Sequence, residues 1–275
     1  MHGIGRISNS DWRIMRTPRI NLTIGLCFVI FTAPLFSNEN KPRWKVGEEL
    51  IYKVKWAFVR LGTLKTVISD TLTMDNERVY HVKVFVDSNP TLFFVNYHAV
   101  YETYFNDDLK VFLFKCNEKI EGVTYEAQYR FDYSDSLVYV TMTNKKDPSK
   151  QIKRMTPFHY RLLDGTSLLY YARANVCYSK IDTVHYLAEG RDELSIMQFM
   201  GRKGKVKIKA LDKPLAACYL KGVVLGGGIA GLHGEFKGWF AQDEQAPPLK
   251  AKMKVFIGSV VIELESWKKW EPVQR

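Results

Sequence analysis

From residue 123 to residue 133 the chain alternates without a break. Val123, Tyr125, Ala127, Tyr129, Phe131 and Tyr133 fall on one side, and Thr124, Glu126, Gln128, Arg130 and Asp132 on the other. Successive side chains of a strand point to opposite faces, so this run fixes a half-buried β-strand and its aromatic, inward face together. Shorter versions recur along the chain. The first, over residues 50–58, carries Leu50, Tyr52, Val54, Trp56 and Phe58 on one face.

Turn chemistry separates the runs. Asp75-Asn76, Ser88-Asn89-Pro90, Asn106-Asp107-Asp108 and Ser134-Asp135-Ser136 lie between successive candidates, and a further turn is expected around residues 60–62. Strands are expected at 63–74, 78–87, 97–105, 109–117, 137–143, 181–188, 193–200, 205–210, 216–225, 235–241, 250–257 and 260–267, with a basic loop at 145–150. With the two runs above this makes about fourteen short strands at hairpin spacing. One helix is expected, over residues 166–175, capped by Asp164 or Thr166 and offering Leu168, Leu169, Tyr171 and Ala172 as its apolar side. Hairpin spacing means antiparallel pairing, because parallel crossovers would need many helices. The expected fold is therefore all-β and mainly antiparallel: a large curved sheet or partly closed β-barrel with one short helix at an open end or inside.

The N-terminus reads as a targeting segment. Arg13, Arg16 and Arg19 precede an apolar stretch over residues 22–36, which Pro34 breaks before the polar Ser37-Asn38-Glu39-Asn40. This predicts a signal peptide over residues 1–37, cleaved near Ser37, with an uncleaved N-terminal anchor as the alternative. Residues 38–275 then form a single β-rich domain exported to the periplasm or cell envelope. Lipidation at Cys27 is rejected, because Leu26 precedes it and apolar residues continue beyond it. Cys116, Cys177 and Cys218 remain, enough for one bridge and one thiol or for none. Without close paired spacing, buried free thiols are the expectation.

The formal net charge of +11 makes the surface basic. Lysines such as Lys205, Lys207 and Lys209, or Lys250, Lys252 and Lys254, recur at strand spacing, which suits a solvated face and discourages edge aggregation. Peripheral contact with an anionic membrane surface is the sharper reading. No nucleic-acid motif accompanies the charge, so no such partner is expected. Gly226, Gly228 and Gly231 match a dinucleotide-binding spacing, but no helix follows to receive a phosphate, so they read as a hairpin loop. Scattered histidines give no metal set, and no cofactor, metal or catalytic residue is assigned. Asp132 and Asp243, near aromatic residues, are the candidate pair if the chain were a glycan-directed enzyme.

Several motifs in order then point to a family: residues 44–62 (W-K-V-G-E-E-L-I-Y-K-V-K-W-A-F-V-R-L-G), 129–133 (Y-R-F-D-Y), Asp164 with 167–173 (S-L-L-Y-Y-A-R), 238–243 (G-W-F-A-Q-D), Pro247-Pro248 and 258–264 (G-S-V-V-I-E-L). Together they resemble the bacterial family described as domain of unknown function 3108. Residues 212–220 (D-K-P-L-A-A-C-Y-L) depart from the small-residue turn expected of it there. The resemblance implies an exported, mostly β envelope protein with no assigned activity and no catalytic residues to carry over. The reading that follows is noncatalytic binding of a hydrophobic or amphipathic ligand, lipid or lipoprotein, in a barrel-like interior. Tyr52, Trp56, Tyr125, Tyr129 and Phe131 are its candidate lining. The alternatives are a carboxylate-dependent enzyme on envelope glycan and a scaffold binding an envelope protein.

Overall fold

The computed structural model describes residues 44–92, 96–227, 233–255 and 258–272. The proposed leader at 1–37 lies outside them, as do Gly228 and Gly231. The first meander comprises β1 (Glu49–Trp56), β2 (Val59–Met74), β3 (Glu77–Ser88), β4 (Tyr97–Phe105), β5 (Val111–Ile120), β6 (Val123–Asp132), β7 (Leu137–Asn144) and β8 (Asp147–Pro157). A three-residue strand β9 (Leu162–Asp164) runs directly into helix α1 (Gly165–Asn175). The second meander follows as β10 (Ser179–Ala188), β11 (Arg191–Met200), β12 (Gly204–Val206), β13 (Leu215–Val224), β14 (Gly234–Ala241), β15 (Pro248–Lys254) and β16 (Ser259–Lys268).

All sixteen strands belong to one sheet, ordered from β8 down to β1, across to β16, and then down to β9, with β12 on the side of β13. The joint between the meanders is the antiparallel pairing of β1 with β16, Glu49 opposite Lys268 and Trp56 opposite Val260. Every pairing is antiparallel except that of β9 with β10. The sheet does not close, since β8 and β9 end it without pairing to each other. The mainly antiparallel sheet with one short helix is thus the fold expected from the alternation.

Details differ for physical reasons. The first turn falls at Ala57-Phe58, not 60–62. Ala57 takes a positive φ there, and Gly62 lies inside β2 beside a bulge. A side chain on Gly62 would run into the Asp87 carbonyl on β3, so the close approach of two strands needs glycine here. The basic loop expected at 145–150 overlaps the start of β8, and no strand was expected over the rest of it. β8 is an edge strand exposed along most of its length, so no buried face imprints a pattern. The expected strand at 205–210 shrinks to β12, although Lys205, Lys207 and Lys209 are exposed while Val206 and Ile208 are buried.

α1 begins at Asp164, whose carboxylate accepts from the Thr166 and Ser167 backbone N–H groups in a capping box. The helix packs against β4, β9 and β10, burying Leu168, Tyr170 and Ala172 in the main core cluster. Just past its end, Cys177 is joined to Cys218 on β13. This corrects the expectation of free thiols, and Cys116 alone among the described cysteines is unbridged. A second, smaller cluster gathers Leu50, Tyr52, Val206, Ile208, Leu215, Leu249, Leu264 and Trp270.

Candidate functional site

Antiparallel register lays the inward residues of β4 to β7 in rows, and the rows grade from solid to hollow. Phe131 opposes Val138 in a filled layer against Phe158, with ring centroids 6.3 Å apart. One row up, Thr103, Phe114, Tyr129 and Val140 stand side by side, with Phe114 and Tyr129 stacked at 5.0 Å. The next row is Tyr101, Cys116, Ala127 and Met142, and the outermost is Ala99, Glu118, Tyr125 and Asn144. Facing these rows are the start of α1 at Gly165 and Thr166, the end of β10 at Leu187 and Ala188, the turn residue Glu189, and Gly227.

Small side chains thus face each other across the gap, Ala127 and Cys116 on one wall, Gly165, Ala188 and Gly227 on the other. They leave a cavity of about 530 Å³, within the roughly 300–1,000 Å³ usual for small-molecule sites. Ile120, Tyr125, Glu126, Thr143, Lys150 and Ile152 add to its lining. The backbone N–H of Gly190 donates to the Tyr129 hydroxyl at 3.1 Å, which ties the β10–β11 turn to this wall.

One group of polar side chains in the lining is joined by hydrogen bonds. The hydroxyls of Tyr97 and Tyr101 are 2.6 Å apart and both donate to Oε1 of Glu118, Tyr97 at 3.0 Å. Burial, together with the neighbouring Glu118 charge, pushes the Tyr101 hydroxyl well above its ordinary range. Burial and Glu118 likewise raise the Cys116 thiol, which leaves it protonated and unreactive at neutral pH. At the floor, Asp164 is fully buried. Its carboxyl is pushed up by burial against the opposing pull of hydrogen bonds from Thr103, at 2.6 Å, and from the helix start. Thr166 belongs to the lining, but its hydroxyl is fully buried and has no hydrogen-bond partner among the described residues.

Of the five candidate lining residues, Tyr125 and Tyr129 line the cavity. Phe131 lies one row deeper, in the filled core. Tyr52 is buried in the second cluster, and Trp56 is 41% exposed beside the β1–β2 turn. Tyr97, Tyr101, Cys116, Glu118 and Thr166 were missed. Glu118 left a legible trace, since it is the one charge on the inward face that reads Phe112, Phe114, Cys116, Glu118, Ile120. The carboxylates Asp132 and Asp243 are spent on their own loops. Asp132 accepts from Ser134, whose hydroxyl and the Asp135 N–H hold it below the usual carboxylate range, and Asp243 accepts from Gln245, Ala246 and Trp270. Among the described residues no three His, Cys, Asp or Glu side chains are grouped to hold a metal ion.

No curated protein matches the sequence. Among solved structures, the chain is similar to the crystal structure of a beta-barrel-like protein of domain of unknown function DUF1849 from Brucella abortus. Identity is 9%, the match covers 81% of this chain and 97% of that one, and the TM-score is 0.49. The model of a family described as protein of unknown function matches residues 51–265, most of the sequence, and the chain therefore belongs to the DUF3108 family.

Proposed function

We propose that this is an exported protein of the periplasm or cell envelope that holds a hydrophobic or amphipathic molecule in the cavity between β4–β8 and the α1 start, without transforming it. The observation that carries the reading is the cavity itself: walls that are mostly aromatic and aliphatic, with a smaller share of polar side chains. The Cys177–Cys218 bridge supports export, because structural disulfides persist in oxidising compartments. Exposed Trp56, Phe58 and Leu225 supply apolar surface for peripheral membrane contact, where such a molecule would be collected or delivered.

Native mass spectrometry of residues 38–275, purified from the envelope fraction, tests the proposal. A bound apolar molecule that is removed by organic extraction and restored by adding back the extract is the expected result. A chain that is ligand-free as isolated and takes up nothing from envelope lipid extract overturns it.

A further inference from the structure

Glu118 is the one carboxylate set into the inward face of β5, and among the described residues no Lys, Arg or His is paired with it. Its cross-strand partners are Ala99 and Tyr125, and its neighbours along the same face are Cys116 and Ile120. The lysines of the region are engaged elsewhere: Lys83 with Glu102, Lys145 with Glu126, Lys150 with Asp147. Lys115 and Lys119 alternate to the outer face and are exposed. Two tyrosine hydroxyls donate to Glu118, but neutral donors orient a carboxylate without cancelling its charge. A charge on an apolar wall is stabilised most by an opposite charge that also donates hydrogen bonds.

The rest of the cavity argues in the same direction. The feature that would draw an anion, the positive N-terminal end of α1, is already capped by the Asp164 carboxyl. Glu189 adds negative charge to the lining, while Glu126 and Lys150, also in it, are each paired with a partner, Lys145 and Asp147. A carboxylate or phosphate head would meet repulsion from these groups, whereas an ammonium head brings three donors and the missing charge.

We propose that the cavity selects single-chain amphiphiles with a protonated amine head, the apolar chain lying along Phe114, Ala127, Tyr129 and Met142 and the ammonium paired with Glu118. This rests on the binding reading above and adds the chemistry of the head.

Calorimetric titration of the native chain with decylamine, decanol and decanoate, at neutral pH and below their aggregation concentrations, tests it. Decylamine is expected to bind at least about tenfold more tightly than decanoate, a factor worth about 1.4 kcal/mol, with decanol between them. In Glu118→Gln the advantage of decylamine over decanol is expected to vanish. Decanoate binding as tightly as decylamine, or an amine preference that survives in Glu118→Gln, overturns the assignment of the head while the apolar cavity stands. If none of the three binds, the binding reading itself falls. The three-ligand comparison on the native chain decides the matter even if the variant does not fold.

Discussion

Tyr52 and Tyr129 occupy the same place in the sequence pattern, inward positions on aromatic strands, yet Tyr52 lies in a filled cluster and Tyr129 on the wall of a cavity. The difference comes from what faces them. Around Tyr52 the cluster supplies large side chains, Leu264 beside it on β16 together with Leu249, Ile208 and Trp270, and the interior nearby is locked by a buried ion pair. Arg173 on α1 meets Glu48 in two parallel hydrogen bonds of 2.7 and 2.8 Å, and the Gln245 carbonyl accepts from the same guanidinium. Around Tyr129 the opposing surface supplies Gly165, Thr166 and Ala188. An apolar strand face reports that something covers it; the size of the cover belongs to residues far away in sequence.

Four stability measurements and one pH comparison break or sharpen this contrast. Arg173→Met leaves Glu48 an unpaired charge in the interior and is expected to cost about 3–5 kcal/mol in urea unfolding, whereas removing both charges together recovers most of that. A cost near zero for the single variant would mean that the filled region is not held by this pair. Leu264→Ala, in the filled cluster, is expected to cost about 2–5 kcal/mol by the same assay. Cys177 and Cys218 enclose a long loop, and replacing both with serine is expected to lower stability by about 2–4 kcal/mol.

Ala127→Leu, by contrast, adds volume where space exists, so its effect on stability is expected to stay within about 1.5 kcal/mol while ligand occupancy in native mass spectra drops. A penalty as large as that of Leu264→Ala would show that the cavity wall is as tightly filled as the other cluster. The smallest effect is with pH. Hydrogen bonds from Lys110 and Asn106 hold the Glu77 carboxyl below its ordinary value of 4.5, and Lys53 and Arg60 do the same for Glu265. Both groups take up a proton more readily in the unfolded chain. The stability they contribute is therefore present above the ordinary value and lost as pH falls through the lower, folded one. The fall in thermal midpoint as pH drops below about 4.5 should be smaller in Glu77→Gln and in Glu265→Gln than in the native chain, and an unchanged pH dependence in both variants would contradict the assigned pairing.

The sheet was legible because most strands bury one face. The alternation at 123–133 predicted β6 and its inward side, and Asp164 before an apolar helical stretch predicted the cap that α1 uses. Where no face is buried, no pattern forms, and β8 went unread. Pairing of Cys177 with Cys218 spans 41 residues and depends on the end of α1 arriving beside β13, which no local spacing encodes. For the site, Tyr125 and Tyr129 were readable from their strand, while Thr166 enters through the tertiary placement of a helix start. Glu118 is the instructive miss. A lone charge inside an otherwise apolar alternation is a signal available from sequence, and it marks the polar part of the cavity.

The pairing of β1 with β16 has a consequence for how the chain assembles. Each meander is knitted from strands adjacent in sequence, contacts that close short loops and form early. Their union requires Glu49 to find Lys268, across nearly the whole described chain, and that long closure is the slow step to expect on refolding. The strands nearest the two ends of the described chain therefore lie at the middle of the sheet, and a deletion that removes β16 would not trim a border but would part the two meanders along their shared seam.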